Sequence, residues 1–180
     1  MVYIVLGKGF EEIEAISPCD ILRRGGVPVS FSAVGSENTV VGAHGIAINA
    51  DVLVRDVSAT ADDTVVIPGG MGGVNSIKSD ITAMDFIDRA AKSGAALAAI
   101  CAGPSVLAQL GLIDGKEITC YPGNEKMMGK AHCNSEKSTV SDGTLITGRA
   151  PGAAMDFGLA LLARLKGYET SEKIRMELVY

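Results

Sequence analysis

Cys101 stands where an apolar run, residues 95–100 (AALAAI), breaks into Ala102-Gly103-Pro104 and then a helical pattern. A strand-to-helix elbow of this kind projects the sulfur out of a sheet at the positive end of a helix. That field favours thiolate over thiol, and a thiolate is the form that attacks carbonyl carbon or is oxidised. A small buried core residue is the other common fate of a free cysteine, and the elbow alone leaves both readings open. The remaining cysteines, Cys19, Cys120 and Cys133, form no CxxC pair. The two histidines are His44 and His132, and His132-Cys133 are adjacent rather than at ligand spacing, so neither a metal site nor a cofactor is expected. Glu11, Glu12 and Glu14 open a helical stretch, where acidic residues complement the dipole.

The elements that must position these groups read as βαβ units around a mainly parallel sheet, because short β-branched runs alternate with helical patterns. Residues 2–6 form the first strand, Gly7-Lys8-Gly9 a loop, and 11–24 a helix with arginines at its far end and a stop at Gly25-Gly26. Residues 29–34 form a second strand, and 40–54 short strands with glycine turns. A buried strand at 64–67 runs into Pro68-Gly69-Gly70. One helix follows, with Ile77, Ile81, Met84, Ile87 and Ala91 on a single face. After the elbow strand, a short helix carries Val106, Leu107 and Leu110 and ends at Gly111. Asp142-Gly143 marks a hairpin, and the last long helix, 153–166, stops at Gly167. Ligands gather at the carboxyl ends of the strands of such sheets, so the three glycine-rich loops after Leu6, Ile67 and Ile100 should meet.

The chain of 180 residues, 47% hydrophobic and 21% charged, suits one domain spanning 1–180 with a proper core. A net charge of -5 with scattered Lys and Arg argues against a nucleic-acid partner. No apolar run approaches the roughly 20 residues that span a bilayer, and the start has no charged leader pattern; a cytoplasmic protein without a membrane partner is expected. GKGF lacks a full GxGxxG, and no GxxxxGK[ST] occurs, so nucleotide binding is not supported.

Four segments occur in the order of one family: EEIEAISPCDILRRGG at 11–26, PGG at 68–70, AAICAGP at 98–104 and GRAPGAAMDFGLAL at 148–161. The chain resembles the ThiJ/PfpI superfamily, and within it the branch of the parkinsonism-associated deglycase. The resemblance runs from the first strand to the last helix. It implies a flavodoxin-like three-layer α/β sandwich with a mainly parallel sheet and a cysteine nucleophile elbow, usually as a homodimer. It further implies that Cys101 is the reactive nucleophile and Glu14 the acid that hydrogen-bonds its sulfur, with backbone N–H donors from Gly70 and Ala102. The spacing agrees for Glu14: Ile21, seven residues on, lies on nearly the same helical face, so Glu14 points inward while Glu11 and Glu12 lie off that face. A buried carboxyl beside a thiolate is held protonated and can pass a proton to substrate.

Two departures from the family pattern stand out. The histidine that many relatives carry near the cysteine aligns with Tyr121, leaving His132, of uncertain reach, as the one substitute. The protease-like branch has histidine directly after its cysteine, whereas here Ala102 follows, so peptide hydrolysis is not expected. Arg24 and His44 are candidates for the mouth of the pocket, although Arg24 also reads as a helix C-terminal cation. The function so implied is a cysteine-dependent, glutathione-independent glyoxalase or deglycase acting on small 2-oxoaldehydes such as methylglyoxal. The alternative is a redox-sensing or chaperone-like stress protein working through oxidation of Cys101.

Overall fold

The alternating pattern produces, in a computed structural model that describes residues 1–180, eleven strands and six α-helices. In chain order these are β1 (Val2–Leu6), α1 (Glu12–Arg24), β2 (Val29–Ala33), β3 (Thr39–Val41), β4 (Ala47–Asn49), β5 (Val52–Leu53) and β6 (Thr64–Ile67). Next come α2 (Met71–Ser79), α3 (Ile81–Lys92), β7 (Ala96–Ile100), α4 (Pro104–Gln109), β8 (Glu117–Ile118) and β9 (His132–Cys133). The chain closes with β10 (Thr139–Asp142), β11 (Leu145–Gly148), α5 (Ala154–Lys166) and α6 (Tyr168–Glu177).

The main sheet has the order β10-β11-β7-β6-β1-β2-β5, parallel throughout except for the antiparallel edge strand β10. Its central strands are buried on both faces, and every residue of β6 is buried, so they read as continuous apolar runs. The crossover from β1 to β2 moves toward one edge and that from β6 to β7 toward the other. Right-handed crossovers in opposite directions place their helices on opposite faces. Accordingly α1 packs with α5 and α5 with α6, while α2 packs with α3 and α4, which makes three layers. The order reverses between β1 and β6, and the loops leaving β1, β6 and β7 converge there.

The reading of one helix after the PGG loop needs correction. Asp80, at φ -97 and ψ 109, breaks the run into α2 and α3 and caps α3 by accepting the Ala83 N–H at 2.9 Å. The break resets the helical phase. Ile81 is therefore 87% exposed, and the buried face of α3 is Ala83, Phe86, Ile87 and Ala90. Strands β8 and β9 and helix α6 had no signal in the periodicity. Helix α6 is mostly polar and is held by the buried Ser171, whose Oγ donates to the Leu159 carbonyl at 2.8 Å.

Candidate active site

Cys101 follows β7 directly and has φ 65, a left-handed conformation that few residues other than glycine adopt. Its surroundings enforce that geometry. The Cys101 N–H donates to the Gly148 carbonyl at 2.9 Å, its own carbonyl accepts the Tyr121 N–H at 3.0 Å, and Gly103 N–H turns back to Ile100 at 2.8 Å. Strain of this kind costs on the order of 1–3 kcal/mol and persists where neighbours over-determine it.

Glu14 lies in the first turn of α1 with no solvent exposure. Its Oε2 accepts the Gly69 N–H at 2.6 Å, while Oε1 is buried without an aligned hydrogen-bond partner. The carboxyl also interacts with the Cys101 sulfur, closely enough to shift both acids without meeting hydrogen-bond alignment at Oε1. Burial is the largest influence on Glu14 and pushes its pKa up to about 7, against the lowering effects of Cys101 and the Gly69 N–H.

The expectation of a depressed Cys101 pKa is not met by these surroundings. Burial raises it first, the charge of Glu14 second, and the N–H groups of Ala102 and Gly70 act on the sulfur in the opposite sense. The following helix, α4, has only six residues and begins with Pro104, so its field is slight. Ionising the sulfur beside an ionised carboxylate is disfavoured. A thiolate at Cys101 therefore requires that Glu14 carry a proton, and the two groups titrate as a pair.

Gly69 and Gly70 fit this crowding in different ways. A Cβ on Gly69 would lie 2.5 Å from Glu14 Oε2 and 2.8 Å from the Cys101 Cβ. Gly70 has φ 81, and its Cβ would meet the Glu11 nitrogen and the Gly9 oxygen at 2.6 Å. Sequence reasoning singled out Gly70 and missed Gly69. The signal available was the doubled glycine after the proline.

The structure brings Tyr121 to the cysteine through its backbone, and the residue is 46% exposed. His132 lies in β9, exposed, with its N–H bonded to Lys116 at 2.8 Å, and the groups acting on the Cys101 sulfur include no imidazole. Arg24 is at the opposite end of α1, ten residues or about 15 Å of helix from Glu14, and its Nε donates to Asp20 at 2.7 Å. His44 does come to the N-terminal end of α1, where it is bound by Glu12 rather than free at a pocket mouth. Glu12, expected to lie off the inward face, is also buried. Its Oε1 accepts the N–H groups of His44 at 2.8 Å and Ile46 at 3.4 Å, and its Oε2 lies 2.9 Å from His44 Nδ1. These contacts hold the Glu12 pKa below its usual value despite burial and raise that of His44. Glu11, Glu12 and His44 offer three ligand atoms within 4.8 Å of one another, but the Glu12 carboxylate is already engaged as a clamp on the β3–β4 turn.

An open cavity of about 590 Å³ lies beside the β1 loop, lined by Lys8, Gly9, Gly72, Asn75, Ser76 and Ser79 among others. Cys101 does not line it and is only 8% exposed, which favours a small reactant at the sulfur.

Sheet order, elbow cysteine and buried acid together define a flavodoxin-like α/β protein with a thiol at the switch point of its sheet. The chain belongs to the DJ-1/PfpI family, whose profile matches residues 1–164. It is 33% identical over 177 residues to protein dj-1beta of Drosophila melanogaster, covering 98% of this chain and 95% of that one. It is also 33% identical over 165 residues to the glutathione-independent glyoxalase DJR-1.2 of Caenorhabditis elegans, with 91% and 87% covered. The crystal structure of a DJ-1 superfamily protein of Salmonella typhimurium superposes with a TM-score of 0.92 at 31% identity, covering 99% of this chain and 97% of that one.

Proposed function

We propose that this protein is a glutathione-independent glyoxalase that converts small 2-oxoaldehydes such as methylglyoxal to 2-hydroxy acids, with deglycation of glyoxal adducts as related chemistry at the same site. The observation that carries the reading is the buried Glu14 carboxyl, with a pKa near 7, set against an elbow cysteine. Family membership and the glyoxalase relative support it.

In this reading the Cys101 thiolate, formed while Glu14 holds a proton, attacks the aldehyde carbon as Glu14 gives that proton to the carbonyl oxygen, forming a hemithioacetal. The N–H groups of Gly70 and Ala102 stabilise the oxygen's developing charge. Glu14, now a carboxylate, takes the proton from the former aldehyde carbon to leave an enediolate; the hydroxyl proton passes to the adjacent oxygen, and Glu14 returns its proton to the neighbouring carbon. The product is a thioester of Cys101, and water cleaves it to 2-hydroxy acid and free thiol. No imidazole is needed, because one carboxyl with a pKa near the working pH serves as acid and base in turn.

The protein is proposed to act in the cytoplasm, consistent with four free cysteines, and as a homodimer. Ile13, Ile16, Val41 and Ile46 are between 40% and 53% exposed, and they lie on α1 and on the hairpin that Glu12 clamps to it. No helix is long and apolar enough to cross a membrane.

The test is lactate formation from methylglyoxal without glutathione. Cys101→Ala should abolish turnover, and Glu14→Gln should lower kcat roughly 10²–10⁴-fold. Full turnover in either variant refutes the mechanism. An inactive native protein whose Cys101 alone gains two oxygens under mild peroxide would favour the redox-sensing reading, since the same backbone donors stabilise a sulfinate.

A further inference from the structure

Cys120 and Cys133 take no part in the reaction proposed above, yet the fold brings the segments that carry them side by side. Strands β8 and β9 run parallel with Ile118 opposite Cys133, and the Asn134 N–H donates to the Ile118 carbonyl at 2.8 Å. Just beyond the first strand Thr119 turns its hydroxyl to the Lys137 carbonyl at 3.0 Å, and Cys120 follows, fully buried like Ile118. The two thiols are near enough for each to bear on the other's ionisation, and neither is in a disulfide. Cys120 has no exposure and Cys133 is partly exposed, so Cys133 is the more accessible member of the pair.

The flanking backbone is anchored on both sides. Thr119 N–H donates to Thr147 Oγ1 at 2.9 Å, and Tyr121 N–H donates to the Cys101 carbonyl at 3.0 Å. The thiol pair is thus one residue from a bond that fixes the elbow.

We propose that Cys120 and Cys133 form a reversible disulfide when the protein meets a hydroperoxide, a second redox site in this chain that is separate from Cys101. The sulfur of Cys133, the accessible member, takes the terminal oxygen of the peroxide; the O–O bond breaks and one water leaves, giving a sulfenic acid. The sulfur of Cys120 then attacks the Cys133 sulfur. The S–S bond forms, the S–O bond breaks, and a second water leaves with the Cys120 proton. Two thiols and one hydrogen peroxide thus become one disulfide and two waters, and a dithiol reductant reverses the change by exchange. Burial pushes the Cys120 thiol up to about 12 and raises Cys133 as well, so both are thiols at neutral pH and bond formation quickens as pH rises.

The proposal holds whether or not Cys101 is a catalyst, and its test is built to show this. Native protein and Cys101→Ala are treated with stoichiometric hydrogen peroxide, alkylated with iodoacetamide and digested without reductant. Both should yield a peptide pair joined through Cys120 and Cys133, and the intact Cys101→Ala protein should lose the mass of two hydrogen atoms. Dithiothreitol should restore it, and Cys133→Ser should yield no linked peptide. Cys133 accumulating as sulfinic acid while Cys120 stays alkylatable would overturn the proposal. So would a native protein in which Cys120 joins Cys101 instead, or linkage only between chains.

Discussion

Glu14 keeps its carboxyl where neither water nor a cation offsets its charge, and that makes it a measurable acid. Its folded pKa, about 7, lies above the 4.5 of an unfolded glutamate. The folded state therefore holds the proton more tightly, and between those values it binds more protons than the unfolded chain. The resulting stabilisation is fully present below pH 4.5 and is lost as pH rises through 7, by on the order of 3 kcal/mol. Urea midpoints of the native protein relative to Glu14→Gln should accordingly fall across that window and level off above it. A flat difference would mean that Glu14 is ionised throughout. The Cys101 contribution falls elsewhere, above the 9.0 of an ordinary thiol, because its own pKa is raised too. The inward direction of Glu14 was legible from its spacing to Ile21. The state of the sulfur was not, because it depends on burial and on a carboxylate 87 positions away in the chain rather than on the local helix.

At the scale of elements, the site depends on where α1 sits, since that helix presents Glu14 at one end and packs on α5 along its length. Gly158 sets the approach. A Cβ there would lie 2.7 Å from Ile21 Cδ1 and 2.9 Å from the Pro18 Cα. Gly158→Ala should push the helices apart and destabilise the fold by about 1–3 kcal/mol, read as a lowered thermal midpoint. An unchanged midpoint would show that the contact relaxes freely. The second anchor of α1 is the Glu12 clamp on the β3–β4 turn. Glu12 has a depressed pKa, so its contribution is present above about pH 4.5 and is lost as pH falls through the lower folded value. Amide exchange at His44 and Ile46 should therefore accelerate in acid and in Glu12→Ala at neutral pH; protected amides in that variant would assign the turn's rigidity to its backbone bonds alone. The strands, the elbow and the terminal helix stops were legible because each has a local signal: β-branched runs, a doubled glycine, or a glycine stop. The Asp80 break, the β8–β9 pair and the Glu12 clamp were not, because each depends on a capping preference or a partner distant in sequence that periodicity does not carry.

For the whole molecule, the remaining question is what covers the apolar residues that folding leaves outside. Ile13 and Ile16 lie three positions apart on α1, on one helical face, and Val41 and Ile46 flank the turn that Glu12 draws against the same end. Scattered exposed isoleucines are ordinary, but here four β-branched side chains stand on two elements fixed to each other. A second copy is the proposed cover, in line with the homodimer the resemblance implies. Burying an isoleucine contributes about 1.5–3 kcal/mol, so replacing one with glutamate should weaken association by roughly 10–200-fold. Sedimentation velocity should then show native protein as a dimer at micromolar concentration, and Ile13→Glu with Ile46→Glu as a monomer of 18.6 kDa with an unchanged circular dichroism spectrum. Because the face adjoins the end of α1 that holds Glu14, the monomeric variant also tests coupling between assembly and site. A loss of turnover on dissociation, with Cys101 still alkylatable, would mean that the partner holds α1 in register. A dimer that survives both substitutions would place the interface elsewhere and leave the apolar face to another ligand.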